Sequence, residues 1–159
     1  MVNKKLIIVG RGGSGKDYLR KKLTEKGYSY GVSFTSRPPR EGEVDGVDYF
    51  FRSKEEIESL RDNENFVELQ EFNGWYYGIT HTEFIEKDVF ILTPSGIKAL
   101  PEEYRKNSFV IYLDPPIDIL SKRLSERNDS DAPKRRIIAD SLDFMDFNDF
   151  DLIIKNEDF

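Results

Sequence analysis

The sequence contains no cysteine, which excludes disulfide bonds, thiolate catalysis and cysteine-ligated metals. Its single histidine, His81, cannot build a zinc site alone. No apolar run approaches the roughly 20 residues that a membrane-spanning helix needs. The formal net charge is −6 and the pI is about 5.0, whereas proteins that bind nucleic acid usually carry a basic face. We therefore expect a cytoplasmic protein with neither a nucleic-acid nor a membrane partner.

Short apolar runs alternate with helical patterns along the 159 residues, a length that suits one domain. The runs occupy residues 6–9, 89–92, 109–113 and 152–154, and they are typical of parallel strands covered on both faces. Helices are predicted over residues 15–26, 53–61, 82–86, 117–127 and 134–147. This alternation predicts an α/β fold, with a parallel sheet between two layers of helices.

Residues 28–80 interrupt that alternation. Short strands are predicted at residues 28–33, 49–51, 66–72 and 75–77, with a loop over residues 35–48. Asn73-Gly74 is a hairpin turn signal. We expect these strands to form a small mixed-β insertion on the main sheet.

A phosphate-binding loop follows the first predicted strand directly. It fits the pattern G-x-x-x-x-G-K and consists of Gly10, Arg11, Gly12, Gly13, Ser14, Gly15 and Lys16. Glycines allow backbone N–H groups to approach phosphates closely, and the next helix points its positive end at them. Lys16 would reach the β and γ phosphates. The loop therefore indicates a bound polyphosphate.

The residue after Lys16 departs from the usual form of this loop. That position normally holds Ser or Thr, whose hydroxyl binds Mg²⁺, but here it is Asp17. A carboxylate is a hard oxygen ligand that could hold the metal or its water. It could instead only favour the helix macrodipole as an N-terminal acid. The sequence leaves both alternatives open.

A second anion site is indicated by Arg37 and Arg40. They lie three residues apart, and Pro38 and Pro39 stiffen the chain between them. Guanidinium groups bind phosphate bidentately, so this pair suits a phosphate monoester. Tyr49 could add a hydroxyl donor.

Residues 33–49 resemble the GMP-binding stretch of guanylate kinases, S-x-x-T-R-x-P-R-x-G-E-x-x-G-x-x-Y, and residues 66–68 and 73–78 are also similar to that family. The resemblance implies that Ser33 and Glu68 read the guanine. A carboxylate suits guanine because N1–H and the 2-amino group present two adjacent donors. The acceptor phosphate would be held by Arg37, Arg40, Tyr49 and Tyr77, with Gly78 beside them.

Residues 121–127 resemble the helix that leads into the mobile lid of these kinases. The lid arginines would be Arg127 and either Arg135 or Arg136, and counting back from the closing Asn-x-Asp-Phe pattern favours Arg136. The residues expected to act on the transferring phosphoryl group are therefore Lys16, Arg40, Arg127 and Arg136. Asn156 would lie by the adenine of ATP.

The resemblance implies one guanylate-kinase-like domain over residues 1–159. Its core would span about 1–32 and 81–159, its monophosphate-binding insertion about 33–80 and its lid about 123–137. The implied activity is direct in-line transfer from Mg²⁺-ATP to GMP or dGMP, by a monomer or a homodimer.

Two other functions compete with this one. The family usually carries acids where this chain has Ile91 and Thr93. Ribose 1,5-bisphosphate phosphokinases also lack those acids and often carry G-K-D in the loop. A non-catalytic guanylate-kinase-like domain that binds a protein is the other alternative, although such domains typically lose the loop lysine or the lid arginines, which this chain retains.

Overall fold

The computed structural model describes residues 4–126 and 142–156. Its strands are β1 (Lys5–Gly10), β2 (Phe34–Thr35), β3 (Phe50–Phe51), β4 (Phe66–Phe72), β5 (Trp75–Thr80), β6 (Val89–Ile91), β7 (Ser108–Leu113) and β8 (Leu152–Ile154). Its helices are α1 (Lys16–Glu25), α2 (Lys54–Asp62), α3 (His81–Glu86), α4 (Pro94–Ala99), α5 (Glu102–Lys106) and α6 (Ile117–Ser125). The three predicted lid arginines, at positions 127, 135 and 136, lie outside the described residues.

The main sheet has the strand order β6-β1-β7-β8, and every pair in it is parallel. Gly10 is in register with Leu113, and Leu113 with Ile154, so the carboxyl ends of these strands meet at one edge. In open α/β sheets, ligands bind at that edge. The fold therefore places the loop that follows β1 where a nucleotide would be expected.

Both faces of this sheet are covered, which confirms the predicted α/β architecture. Ile7 faces a cluster that includes Phe84 of α3 and Ile97 of α4. Ile8, its neighbour in the strand, faces the opposite side, where α1 packs through Leu19. This is the period of two that a strand imposes on its side chains.

The smaller sheet has the order β3-β2-β5-β4 and lies within residues 34–80. The pair β2-β3 is parallel, whereas β2-β5 and β4-β5 are antiparallel. Asn73 and Gly74 join β4 to β5 with φ angles of 53° and 83°, as a type I′ turn requires. The mixed-β insertion is thus confirmed, and so is the hairpin turn.

Two predicted elements differ from the structure. The predicted strand over residues 28–33 is reduced to one bridge, between Tyr30 and Val89. The N–H of Gly31 donates to the Val89 carbonyl at 2.8 Å and the N–H of Val89 donates to the Ser29 carbonyl at 2.9 Å, so the pairing with β6 exists but is too short for a strand. Gly31 also passes so close to Phe90 that an added Cβ would lie 2.1 Å from the ring. The last helix was predicted to reach residue 147, but residues 144–146 form a turn with Asp146 at φ 59°.

Two short helices, α4 and α5, were not predicted, since five or six residues are too few to show an amphipathic period. Within residues 4–126 and 142–156, no helix has the length and apolar character needed to cross a membrane.

Candidate active site

The loop after β1 folds around the side chain of Lys16. The Lys16 Nζ donates to the carbonyl oxygens of Gly10 at 2.6 Å and Arg11 at 3.1 Å. A Cβ on Gly10 would lie 2.3 Å from the Oγ of Ser14, so no other residue fits there without rearrangement. Gly15 has a φ of 101°, a conformation that glycine adopts without strain. The glycine pattern is therefore explained by the geometry of the loop.

The loop is also held by a contact from α6 that was not predicted from the sequence. Arg123 Nη1 donates to the carbonyl oxygen of Gly13 at 2.8 Å. Arg11 forms an ion pair with Asp114 at 3.5 Å, and its guanidinium lies 5.6 Å from the centre of the Phe144 ring. These contacts join residues far apart in sequence, so no local pattern indicates them.

Asp17 lies in the first turn of α1 with 64% of its side chain exposed, and its Oδ1 accepts a hydrogen bond from Arg20 at 3.2 Å. Among residues 4–126 and 142–156, no cluster of three or more His, Asp or Glu side chains could hold a metal ion. Magnesium that is bound mainly through nucleotide phosphates and water needs only one or two protein carboxylates. An exposed carboxylate beside Lys16 fits that need.

One pocket brings many of the predicted site residues together. It opens beside Lys16 and between the two sheets. Its lining consists of Lys16, Ser33, Tyr49, Glu68, Phe72, Tyr77, Gly78, Ile91, Leu92 and Thr93. The loop lysine and the residues predicted to read a guanine thus share one cavity, with aromatic and aliphatic walls that suit a flat base.

Glu68 is the single carboxylate among these lining residues, and it is only 6% exposed. Burial raises the pKa of Glu68 to about 8, although a hydrogen bond from the backbone of Ile79 opposes the shift. A Cβ on Gly96 would lie 3.0 Å from Glu68 Oε2, so α4 packs directly against the carboxyl group. Ser33 Oγ is also buried, and it has no hydrogen-bond partner among the described residues. The pocket therefore holds two buried polar groups that suit a polar ligand.

Ile91 and Thr93 line the same pocket at the positions where the family usually carries acids. Ile91 packs against the core cluster around Ile8. The Thr93 Oγ1 accepts a hydrogen bond from the backbone N–H of Gly96 at 3.0 Å and caps α4. Neither side chain supplies a charge, so Glu68 is the one carboxylate among the described residues that line this pocket.

The predicted second anion site, at Arg37 and Arg40, is organised around Glu43, a residue for which no role was predicted. Arg37 is 3% exposed and donates to both carboxylate oxygens of Glu43, at 2.9 and 3.1 Å. The backbone N–H of Arg40 donates to the same carboxylate at 2.6 Å. Burial would lower the pKa of Arg37, but the Glu43 hydrogen bonds more than reverse this, and the pKa lies above its usual value. Arg37 is thus a fixed cation.

The two tyrosines predicted to contact the phosphate are neighbours. The rings of Tyr49 and Tyr77 are 6.1 Å apart, and the Arg37 guanidinium lies 5.2 Å from the Tyr49 ring centre. Burial raises the pKa of Tyr49 to about 12, so its hydroxyl stays protonated and can donate at neutral pH. Arg37, Tyr49 and Tyr77 therefore form one group of donors.

Asn156 lies two residues beyond the end of β8 and is exposed at the same sheet edge as the loop. Its predicted place beside adenine stays a prediction. The predicted roles of Arg127 and Arg136 also stay predictions, since both lie outside the described residues.

Comparisons with known proteins agree with this geometry. The family model described as guanylate kinase matches residues 2–159. A guanylate kinase from Bacillus anthracis is 32% identical over 96% of this chain and 80% of its own length. One from Bacillus cereus strain ATCC 14579 is 33% identical over the same shares. The crystal structure of guanylate kinase from Anaplasma phagocytophilum has the same fold, with a TM-score of 0.76 at 23% identity, over 99% of this chain and 78% of that one. The chain therefore belongs to the guanylate kinase family.

Proposed function

We propose that this protein transfers the γ-phosphoryl group of ATP to GMP or dGMP. The observation that carries the proposal is the pocket in which Lys16, Ser33 and Glu68 meet. A polyphosphate on the loop and a guanine against Glu68 would face each other across that pocket. The family membership supports the same activity.

The acceptor would be held at both of its ends. Glu68 accepts from N1–H and the 2-amino group of guanine, a donor pair that adenine lacks. The group formed by Arg37, Tyr49 and Tyr77 would bind the monophosphate, with Arg37 kept in place by Glu43. Fixing both ends orients the acceptor oxygen, and orientation is a large part of the rate enhancement in phosphoryl transfer.

The donor would be held by the loop after β1. Backbone N–H groups and the start of α1 face the phosphates, and Lys16 moves from its carbonyl partners to the β and γ phosphates. Mg²⁺ bound with ATP neutralises phosphate charge, and Asp17 would hold it directly or through water. No general base is required, because the acceptor phosphate is already an anion.

A coupled assay of ADP release tests the proposal with GMP, dGMP, AMP, dTMP and ribose 1,5-bisphosphate as acceptors. We expect turnover with a guanine monophosphate. Lys16→Ala should lower kcat/KM by on the order of 100-fold or more, since it removes a charge that stabilises the transferring group. Lys21→Ala, an exposed lysine on the same helix, is the matched control and should leave activity unchanged. Turnover with the sugar phosphate alone would refute the proposal.

A further inference from the structure

Arg20 is a buried cation for which the proposed mechanism has no role. It lies in α1 and is only 5% exposed, although arginine on a surface helix is normally exposed. Burying a charge is costly unless the charge is paired. Its partners therefore indicate why the side chain points inward.

Both partners of Arg20 are carboxylates that adjoin proposed site residues in the chain, since Asp17 follows Lys16 and Asp48 precedes Tyr49. Its Nη2 donates to Asp48 Oδ1 at 2.8 Å and to Asp17 Oδ1 at 3.2 Å. The Asp48 side chain is 16% exposed and the Asp17 side chain 64%, so the bond to Asp48 is the shorter and better shielded one. The guanidinium also lies 4.5 Å from the centre of the Tyr30 ring, which fixes its plane.

Asp48 in turn shapes the loop that leads to Tyr49. Its Oδ2 accepts from the backbone N–H of Val44 at 2.8 Å, and its own N–H donates to the Val44 carbonyl at 3.0 Å. The Gly46 N–H donates to the Tyr49 carbonyl at 2.8 Å, which closes the loop on its far side. One carboxylate thus joins a closed loop of residues 44–49 to a buried arginine on another element.

We propose that Arg20 is a positioning residue that fastens the loop carrying Tyr49 to the helix that begins at Lys16. It would set the place of the acceptor phosphate relative to the donor phosphates without touching either substrate. This inference rests on the proposed function, which assigns Tyr49 to the acceptor and Lys16 to the donor. Such a connection between the loop and the helix matters for the reaction, because a shift of about 1 Å between reacting groups can cost about 100-fold in rate.

The chain offers a matched control for a purely structural role. Arg105 also bridges two carboxylates, with Asp149 at 2.7 Å and Asp151 at 3.4 Å. It donates to the carbonyl oxygen of Ser108 at the amino end of β7, the opposite sheet edge from the loop with Lys16. Loss of Arg105 should therefore lower the stability of the fold without weakening the binding of GMP more than that of ATP.

The test measures GMP and ATP affinity separately by titration calorimetry, with each ligand alone, for Arg20→Gln, Asp48→Ala, the double variant and Arg105→Gln. We expect Arg20→Gln to weaken GMP binding by about tenfold, within the range of coupling found in ion-pair networks. ATP affinity should change by less than about twofold, a change of only a few tenths of a kcal/mol. In steady-state assays the KM for GMP should rise more than the KM for ATP.

The double variant should bind GMP no more weakly than Asp48→Ala alone, because both changes break the same ion pair between Arg20 and Asp48. If Arg20→Gln does not fold, Asp48→Ala carries the same expectation. The inference is overturned if the wild type binds GMP and Arg20→Gln binds it equally well. Equal weakening of GMP and ATP, or additive effects in the double variant, would overturn it too. A wild type that binds no GMP would instead overturn the proposed function, and this inference with it.

Discussion

Binding of GMP should release a proton from Glu68. The guanine edge offers only donors to this side chain, so the bound form must be the carboxylate. In the free protein, burial raises the pKa of Glu68 to about 8. At pH 7 the group is therefore protonated in about nine molecules of ten, and binding should release about 0.9 proton per GMP.

The sign and size of the pH dependence follow from the same pKa. Affinity for GMP rises with pH as long as Glu68 is mostly protonated in the free protein. It levels off above the pKa of Glu68 in that free form. Between pH 7 and pH 9 the association constant should increase by about tenfold. The GMP phosphate loses its second proton near pH 6, so its titration contributes little to this slope.

Titration calorimetry in two buffers of different ionisation enthalpy measures the proton count directly. We expect about 0.9 proton released at pH 7 and about 0.1 at pH 9. Glu68→Gln should bind GMP weakly with no pH slope, whereas Ser33→Ala should bind weakly but keep the slope. Absence of proton release from the wild type at pH 7, or affinity that falls as pH rises, would refute the reasoning.

Three further predictions concern the residues around this pocket. Because the pKa of Glu68 is raised from 4.5 to about 8, its contribution to stability is present below pH 4.5 and is lost as pH rises through 8. Glu68→Gln should thus raise the free energy of unfolding at pH 9 by up to about 3–5 kcal/mol, and change it little at pH 4, in urea titrations. Gly96→Ala places a methyl group 3.0 Å from Glu68 Oε2; calorimetry should show several-fold weaker GMP binding with unchanged ATP binding, and a change in both would count against this contact. Glu43→Ala removes the carboxylate partner of buried Arg37, which keeps only its bond to the Pro38 carbonyl, and should destabilise the fold by about 3 kcal/mol in thermal melts; an unchanged Tm would show that Arg37 finds another partner.

Much of the fold could be predicted because its local signals agree with its tertiary structure. The apolar runs at residues 6–9 and 109–113 became β1 and β7, and Ser53 caps α2 by accepting from the N–H of Glu56. The predicted strand at residues 28–33 was mostly wrong, since only one bridge, between Tyr30 and Val89, forms there. The local pattern of apolar and aromatic residues does not show how far a segment pairs with a neighbouring strand.

The candidate site also combines residues that local patterns predict with contacts that they do not. The loop from Gly10 to Lys16 is recognisable because its chemistry is local, and the family resemblance supplied Ser33 and Glu68, which the structure brings into one pocket. The pairing of Arg20 with Asp48 spans 28 positions and depends on how the smaller sheet packs on the main one. Only the folded structure shows such contacts.

The central claim is that a guanine monophosphate accepts the γ-phosphoryl group of ATP in this pocket. The most direct measurement is the rate of ADP formation from ATP with GMP and dGMP, compared with AMP at equal concentration. The account predicts turnover with at least one guanine nucleotide and far slower turnover with AMP, together with loss of that preference in Glu68→Gln. Equal rates with GMP and AMP, or no turnover with any guanine nucleotide, would contradict it.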